Sequence, residues 1–167
     1  MIPIICVVGW HHVGKTTFIT GLIRALWARG MRVATIKHTS EVLAIDHEGT
    51  DTWCFAEAGS RFVAIAGPHG TAVIIPQGPE PTFWELAAQV PADTSIIIVE
   101  GFKRLPLPKI EVISKGKPST APEELVAVIQ REPDLVLTEI PQEVPVFQAN
   151  EWDKVIGLLI ARGFISE

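Results

Sequence analysis

The segment Gly9-Trp10-His11-His12-Val13-Gly14-Lys15-Thr16 constrains this chain more than any other feature. It satisfies G-x-x-x-x-G-K-[ST] and stands between a short apolar run, Ile4 to Val8, and a stretch from Thr16 to Ala28 with apolar Phe18, Ile19, Leu22, Ile23, Leu26 and Trp27. The run has strand length, and the i, i+3/i+4 spacing after it predicts an amphipathic helix. A strand, a glycine-rich loop and a helix in that order make a cradle for phosphate. Backbone N–H groups of the loop and first helical turn converge on phosphate oxygens, and the helix dipole adds positive potential. Lys15 then supplies a point charge near the β- and γ-phosphates, and the Thr16 hydroxyl is a ligand for Mg²⁺. His11 and His12 leave two readings open: side chains pointing outward while the amides face phosphate, or a protonatable contact to the anion.

The rest of the chain alternates strand-like and helix-like segments. Strands are expected at Arg32 to Lys37, Ser95 to Val99, Lys109 to Ser114, Leu135 to Thr138 and Pro145 to Gln148. Helices are expected at Asp51 to Ala58, Thr82 to Gln89 and Trp152 to Arg162, with a hairpin of Phe62 to Ala66 and Thr71 to Ile75 around Gly67-Pro68-His69-Gly70. The Ser95 to Val99 run is the most apolar and is expected in the middle of a parallel sheet buried on both faces. Such alternation predicts an α/β domain with a mostly parallel sheet. At 167 residues, one domain over 1–167 is the expectation, with Gly116 to Pro122 as a loop rather than a linker.

Charge narrows the partners. Lys and Arg number 14 against 19 Asp and Glu, a formal charge of -5, so the chain carries no footprint for DNA or RNA. Any anion must therefore be held by a local site. No apolar stretch reaches the ~18 residues of a membrane span, and the start at Met1 lacks the basic region of a signal peptide. Cys6 and Cys54 have no metal spacing and read as buried thiols of a cytoplasmic protein.

In an open α/β sheet ligands bind at the C-terminal ends of the strands. Val99-Glu100-Gly101-Phe102-Lys103 puts a carboxylate there, and Glu100 is the candidate for the Mg²⁺ shell or for orienting water. Gly101 allows close backbone approach, while Lys103 reads either as a phosphate contact or as a solvated loop lysine. Ile36-Lys37-His38 ends a strand at the same edge, and the loop beyond it holds Asp46, Gly49 and Asp51. Asp51 also reads as a helix cap. His38 and His47 lack the spacing of metal ligands.

Taken together, the Gly9 to Thr17 loop, Ile36-Lys37-His38, the segment Asp46 to Thr52 with Glu57-Ala58-Gly59, and Val99 to Lys103 followed by Pro108 to Val112 resemble the MobB family of molybdopterin-guanine dinucleotide biosynthesis accessory proteins. The resemblance covers essentially the whole chain. It implies a three-layer P-loop NTPase fold that binds GTP, a homodimer, weak Mg²⁺-dependent GTPase activity, and cooperation with the guanylyltransferase that converts Mo-molybdopterin to its guanine dinucleotide. By position, it implies phosphate binding by Gly9, Gly14, Lys15, Thr16 and Thr17, metal at Thr16 and Glu100, and a switch-like segment of Asp46, Gly49 and Asp51. Direct contact with molybdopterin is left open.

Guanine choice has no N-K-x-D motif to read it. Glu139, in Thr138-Glu139-Ile140-Pro141, is a candidate acceptor for guanine N1–H and N2–H₂, or an exposed turn residue. A small-molecule kinase or ATP-dependent ligase is the competing class. Kinases bring extra cations to the transferring phosphoryl group, whereas Arg24, Arg29, Arg32, Arg61, Arg104, Arg131 and Arg162 are scattered in the sequence. A third class is an interaction module that holds nucleotide only structurally.

Overall fold

The computed structural model describes residues 1–41, 45–76, 78–114, 116–134 and 136–166. It divides into two compact units, Met1–His38 with Phe83–Glu167, and Thr39–Thr82.

The first unit is built on six strands: β1 (Ile4–Val8), β2 (Val33–Lys37), β5 (Ile96–Glu100), β6 (Lys109–Ile113), β7 (Leu125–Gln130) and β8 (Val146–Gln148). Their order is β2-β5-β1-β6-β7-β8, and every pairing is parallel. Strand alternation explains why these runs are apolar on both faces. Ile5 and Val7 of β1 pack with Ile96, Ile98, Ile110 and Val112 beneath α1 (Lys15–Trp27) and α4 (Trp152–Ala161). Cys6 and Val8 face the other way and join Ile97, Val99 and Phe83 of α3 (Phe83–Ala87). Sheet and helices thus form the expected three-layer α/β arrangement. Burial pushes the Cys6 thiol up to about 11, with the nearby Lys109 ammonium acting in the opposite direction.

Three expectations need correction. The apolar run forms β5, in which Ile96 to Val99 are buried, but it lies between β1 and the edge strand β2, so β1 and β6 hold the middle of the sheet. Leu135 lies outside the described residues, and Val136 to Thr138 is not a strand. The fifth strand is instead Leu125–Gln130, all six residues of which are buried. Its Leu125 and Val128 pack with Ile113 and Val144, with Leu137 laid against them from outside the sheet. Cys6 is buried as expected, whereas Cys54 is exposed.

Buried charges hold two connections. Lys109, 2% exposed, donates to the Leu105 and Leu107 carbonyls at 2.6 and 3.1 Å and to Glu124 Oε2 at 2.5 Å. Glu111, 1% exposed, accepts from the amides of Ser119 and Thr120 and from the Ser119 hydroxyl, so the segment read as a loose loop is fastened to β6. Both charges are fully hydrogen-bonded, as burial requires.

The second unit holds α2 (Asp51–Glu57) and an antiparallel hairpin, β3 (Val63–Gly67) with β4 (Gly70–Ile74), turning through Pro68 and His69. None of the α2 residues is buried, and Phe55, Phe62, Ile65, Val73 and Ile75 are exposed. Among the described residues no helix is long and apolar enough to cross a membrane.

The helices α1 and α4 meet at one point of very close packing. The Trp152 indole lies against Gly21, where a Cβ would come within 2.2 Å of the ring, and its N–H donates to the Phe18 carbonyl at 3.2 Å. Gly21→Val is therefore expected to lower unfolding free energy by about 2–3 kcal/mol through overpacking, measured by urea denaturation.

Candidate phosphate-binding site at the sheet edge

Parallel pairing brings the C-terminal ends of β1, β2 and β5 side by side, with Glu100 in register with both Val7 and Lys37. Out of β1 the chain turns at Gly9, whose φ of 145° suits glycine, and a Cβ there would stand 2.4 Å from the Val112 carbonyl oxygen of β6. His12 adopts φ 60° and Gly14 φ 92°, and Gly14 is the N-cap of α1. Val13 is buried in the core, which anchors the loop between two exposed histidines and the helix. His11 and His12 are both exposed, with ring centroids 6.4 Å apart and planes inclined by 50°.

Polar side chains gather at the loop. Lys15 Nζ donates to the Trp10 carbonyl at 2.7 Å, curling over the loop that precedes it. The Thr16 hydroxyl donates to Glu100 Oε2 at 3.3 Å, and Lys37 Nζ lies 3.8 Å from Glu100 Oε1. Lys103 Nζ stands 5.8 Å above the Trp10 ring, a cation–π contact. Thr17 follows, exposed, in the first turn of α1. Partial burial holds the Lys15 ammonium below its ordinary pKa, opposed by Glu100 and assisted by Lys103 and Lys37. Lys15 thus feels two other lysines and one carboxylate, and that carboxylate, Glu100, is ion-paired to Lys37.

The backbone beside Glu100 is shaped for this convergence. Gly101, at φ 96°, passes so near β2 that a Cβ would lie 2.9 Å from the His38 carbonyl oxygen. Phe102 then packs against the His38 ring, centroids 4.7 Å apart, and against Phe83 at 5.4 Å.

Asp46, Gly49 and Asp51 belong to the second unit. There Asp46 Oδ1 accepts from the His47 amide at 2.8 Å and the Thr50 hydroxyl at 2.9 Å, and the hydroxyls of Thr52 and Thr50 hold its carboxyl below the ordinary range. Thr50, not Asp51, caps α2, accepting from the Trp53 amide at 3.2 Å; Asp51 sits in the first turn, where its charge suits the helix dipole. Gly49 has φ 90°. Glu139 pairs with Lys117 at 2.7 Å, and both line a cleft with Pro118, Thr120, Pro122 and Pro141.

One residue at the loop escaped the sequence reading. Arg131 Nη1 donates to the His12 carbonyl at 3.3 Å, so an arginine does stand at the loop. The apolar run Leu125 to Ile129, read as a strand, would have put Arg131 at the ligand edge.

Comparison with known proteins agrees with this architecture. The family described as "Molybdopterin guanine dinucleotide synthesis protein B" matches residues 4–139. The chain belongs to the MobB family. It is 35% identical over 151 residues to the Escherichia coli molybdopterin-guanine dinucleotide biosynthesis adapter protein, covering 87% of this chain and 83% of that one. A protein of the same name from Haemophilus influenzae is 39% identical over 111 residues, covering 65% of this chain and 62% of its own length, which is less than two thirds. Among solved structures, that of Bacillus subtilis MobB superposes with a TM-score of 0.72 at 25% identity over 98% of each chain. A structure of molybdopterin-guanine biosynthesis protein B gives 0.69 at 25% identity over 95% and 99% of the two chains.

The loop depends on a missing side chain. Gly9→Ala, with 2.4 Å to a backbone oxygen, is expected to lower the thermal midpoint by several degrees, on the order of 2 kcal/mol or more. Gly157→Ala, in the exposed interior of α4 with open space around it, serves as control and is expected to raise the midpoint slightly.

Proposed function

We propose that the chain binds GTP with Mg²⁺ at this loop, hydrolyses it slowly, and serves molybdopterin guanine dinucleotide formation beside a guanylyltransferase. The observation that carries this reading is the meeting of Lys15, Thr16, Lys37 and Glu100 at the end of three parallel strands. Amides from Trp10 to Thr17 and the Lys15 ammonium take the phosphates, and Lys37 and Lys103 add charge around them. On binding, Lys15 exchanges the Trp10 carbonyl for a phosphate oxygen and recovers the negative partner it is short of.

The metal donors fit magnesium. A hydroxyl and a carboxylate in contact are hard oxygen ligands, and Mg²⁺ ordinarily takes one or two such groups with phosphate and water completing its shell. Among the described residues no group of three or more His, Cys, Asp or Glu could hold a metal unaided, which agrees with a shell shared with nucleotide. When bound, Mg²⁺ would neutralise charge developing between the β- and γ-phosphates. Glu100, fixed by Lys37, orients water. With intrinsic chemistry alone, turnover is expected on the order of 10⁻⁴ to 10⁻² per second.

The resemblance to the family gives Asp46, Gly49 and Asp51 as a switch-like segment. Glu139, a candidate from its own chemistry rather than from the family, would accept from guanine on leaving Lys117. The names of the relatives support the guanine dinucleotide pathway and an adapter's role. A homodimer is supported by the apolar Phe55, Phe62, Ile65, Val73 and Ile75, which a second copy would cover. A cytoplasmic location agrees with free Cys6 and Cys54.

A competitive titration with a fluorescent GTP analogue tests the reading. GTP is expected to displace it at least ~10-fold better than ATP, and Lys15→Ala to abolish binding with the thermal midpoint unchanged. Equal competition by ATP would favour a kinase, and unaltered affinity in Lys15→Ala would remove the loop from the function.

A further inference from the structure

Beside the loop motif stands a cation that the motif does not include. β7 ends at Gln130, and in a parallel sheet that end lies at the same edge as the loop. The next residue, Arg131, is fixed to β6 through its amide, which donates to the Ile113 carbonyl at 3.2 Å. Ile113 follows Val112, whose carbonyl faces Gly9, so loop and arginine are positioned by the same stretch of β6.

From that anchor the side chain runs over the loop. Nη1 donates to the His12 carbonyl at 3.3 Å, while Cδ and Nε lie 3.8 and 4.0 Å from the point a Cβ on Gly14 would occupy. The contact with His12 uses one of five N–H donors and is to a neutral carbonyl, so the positive charge is not cancelled by it. Arg131 is exposed, at the rim of the loop rather than within the core. A guanidinium suits this place better than an ammonium, because its planar fork can hold a carbonyl with one edge and offer two parallel N–H groups to phosphate with another.

We propose that Arg131 is a phosphate-binding residue, held over the loop by the His12 carbonyl and donating to an oxygen of the bound nucleotide's phosphate chain. It adds a fourth cation to Lys15, Lys37 and Lys103, and it is contributed by the side of the sheet opposite to Glu100. This inference rests on the nucleotide-binding reading of the loop.

The test uses the full chain as wild type, Arg131→Gln and Arg131→Lys, titrated with a fluorescent GTP analogue and Mg²⁺ at low and high salt. Loss of one charge-assisted contact is expected to weaken binding about tenfold in Arg131→Gln at low salt, with a smaller loss at high salt. Arg131→Lys should fall between, and thermal midpoints without nucleotide should stay equal. Binding by Arg131→Gln within about twofold of wild type would overturn the proposal and leave the loop reading standing. So would an equal loss at both salts with a lowered nucleotide-free midpoint, the mark of a purely structural clamp on His12. If wild type itself does not bind the analogue, the loop reading falls and this proposal with it.

Discussion

The approach of Gly9 to the Val112 carbonyl governs the ligand edge. At 2.4 Å from where a Cβ would stand, the backbone of β6 leaves room for hydrogen alone, and the chain leaving β1 passes over β6 before turning into α1. That turn sets the direction of the loop amides, the start of α1 at Gly14, and the position from which Lys15 curls back to the Trp10 carbonyl. The core supports it from below, because Val13 is buried with Ile5, Val7 and Phe18. Loop geometry and core packing are therefore one constraint rather than two.

Electrostatics complete what the backbone begins. The chain carries a net charge of -5, yet the loop is bordered by Lys15, Lys37, Lys103 and Arg131 with Glu100 among them. Parallel strands make this local reversal of sign possible, since residues distant in sequence arrive together at one edge: Lys37 from β2, Glu100 from β5, and Arg131 just past β7. Lys15 itself is pulled in both directions, by desolvation and two lysines one way and by one carboxylate the other.

Most of the first unit was legible because its signals are local. The motif at Gly9 to Thr16 needs only its flanking strand and helix, and the alternation of buried faces in β1 and β5 follows from apolar runs too continuous for anything but an interior strand. What could not be read depended on competition between segments. Leu125 to Ile129 and Leu135 to Leu137 are both short and apolar, and only the sheet itself decides which is buried as a strand: the former fills β7, whereas Val136 is exposed. Placing the strand in the wrong run also concealed Arg131, which looked scattered until β7 brought it to the loop. Asp46 has a structural part that the sequence does not announce: it accepts from the Thr50 hydroxyl and the His47 amide and so builds the turn ahead of α2.

The central claim is that one edge of this sheet holds a nucleoside triphosphate and its magnesium. A crystal structure of the chain grown with Mg²⁺ and a non-hydrolysable GTP analogue tests it most directly. The expected result is a phosphate chain wrapped by the amides of Gly9 to Thr17, with Mg²⁺ on the Thr16 hydroxyl and Glu100 beside it. A nucleotide bound elsewhere, with the loop retaining its Lys15–Trp10 contact at saturating analogue, would contradict it.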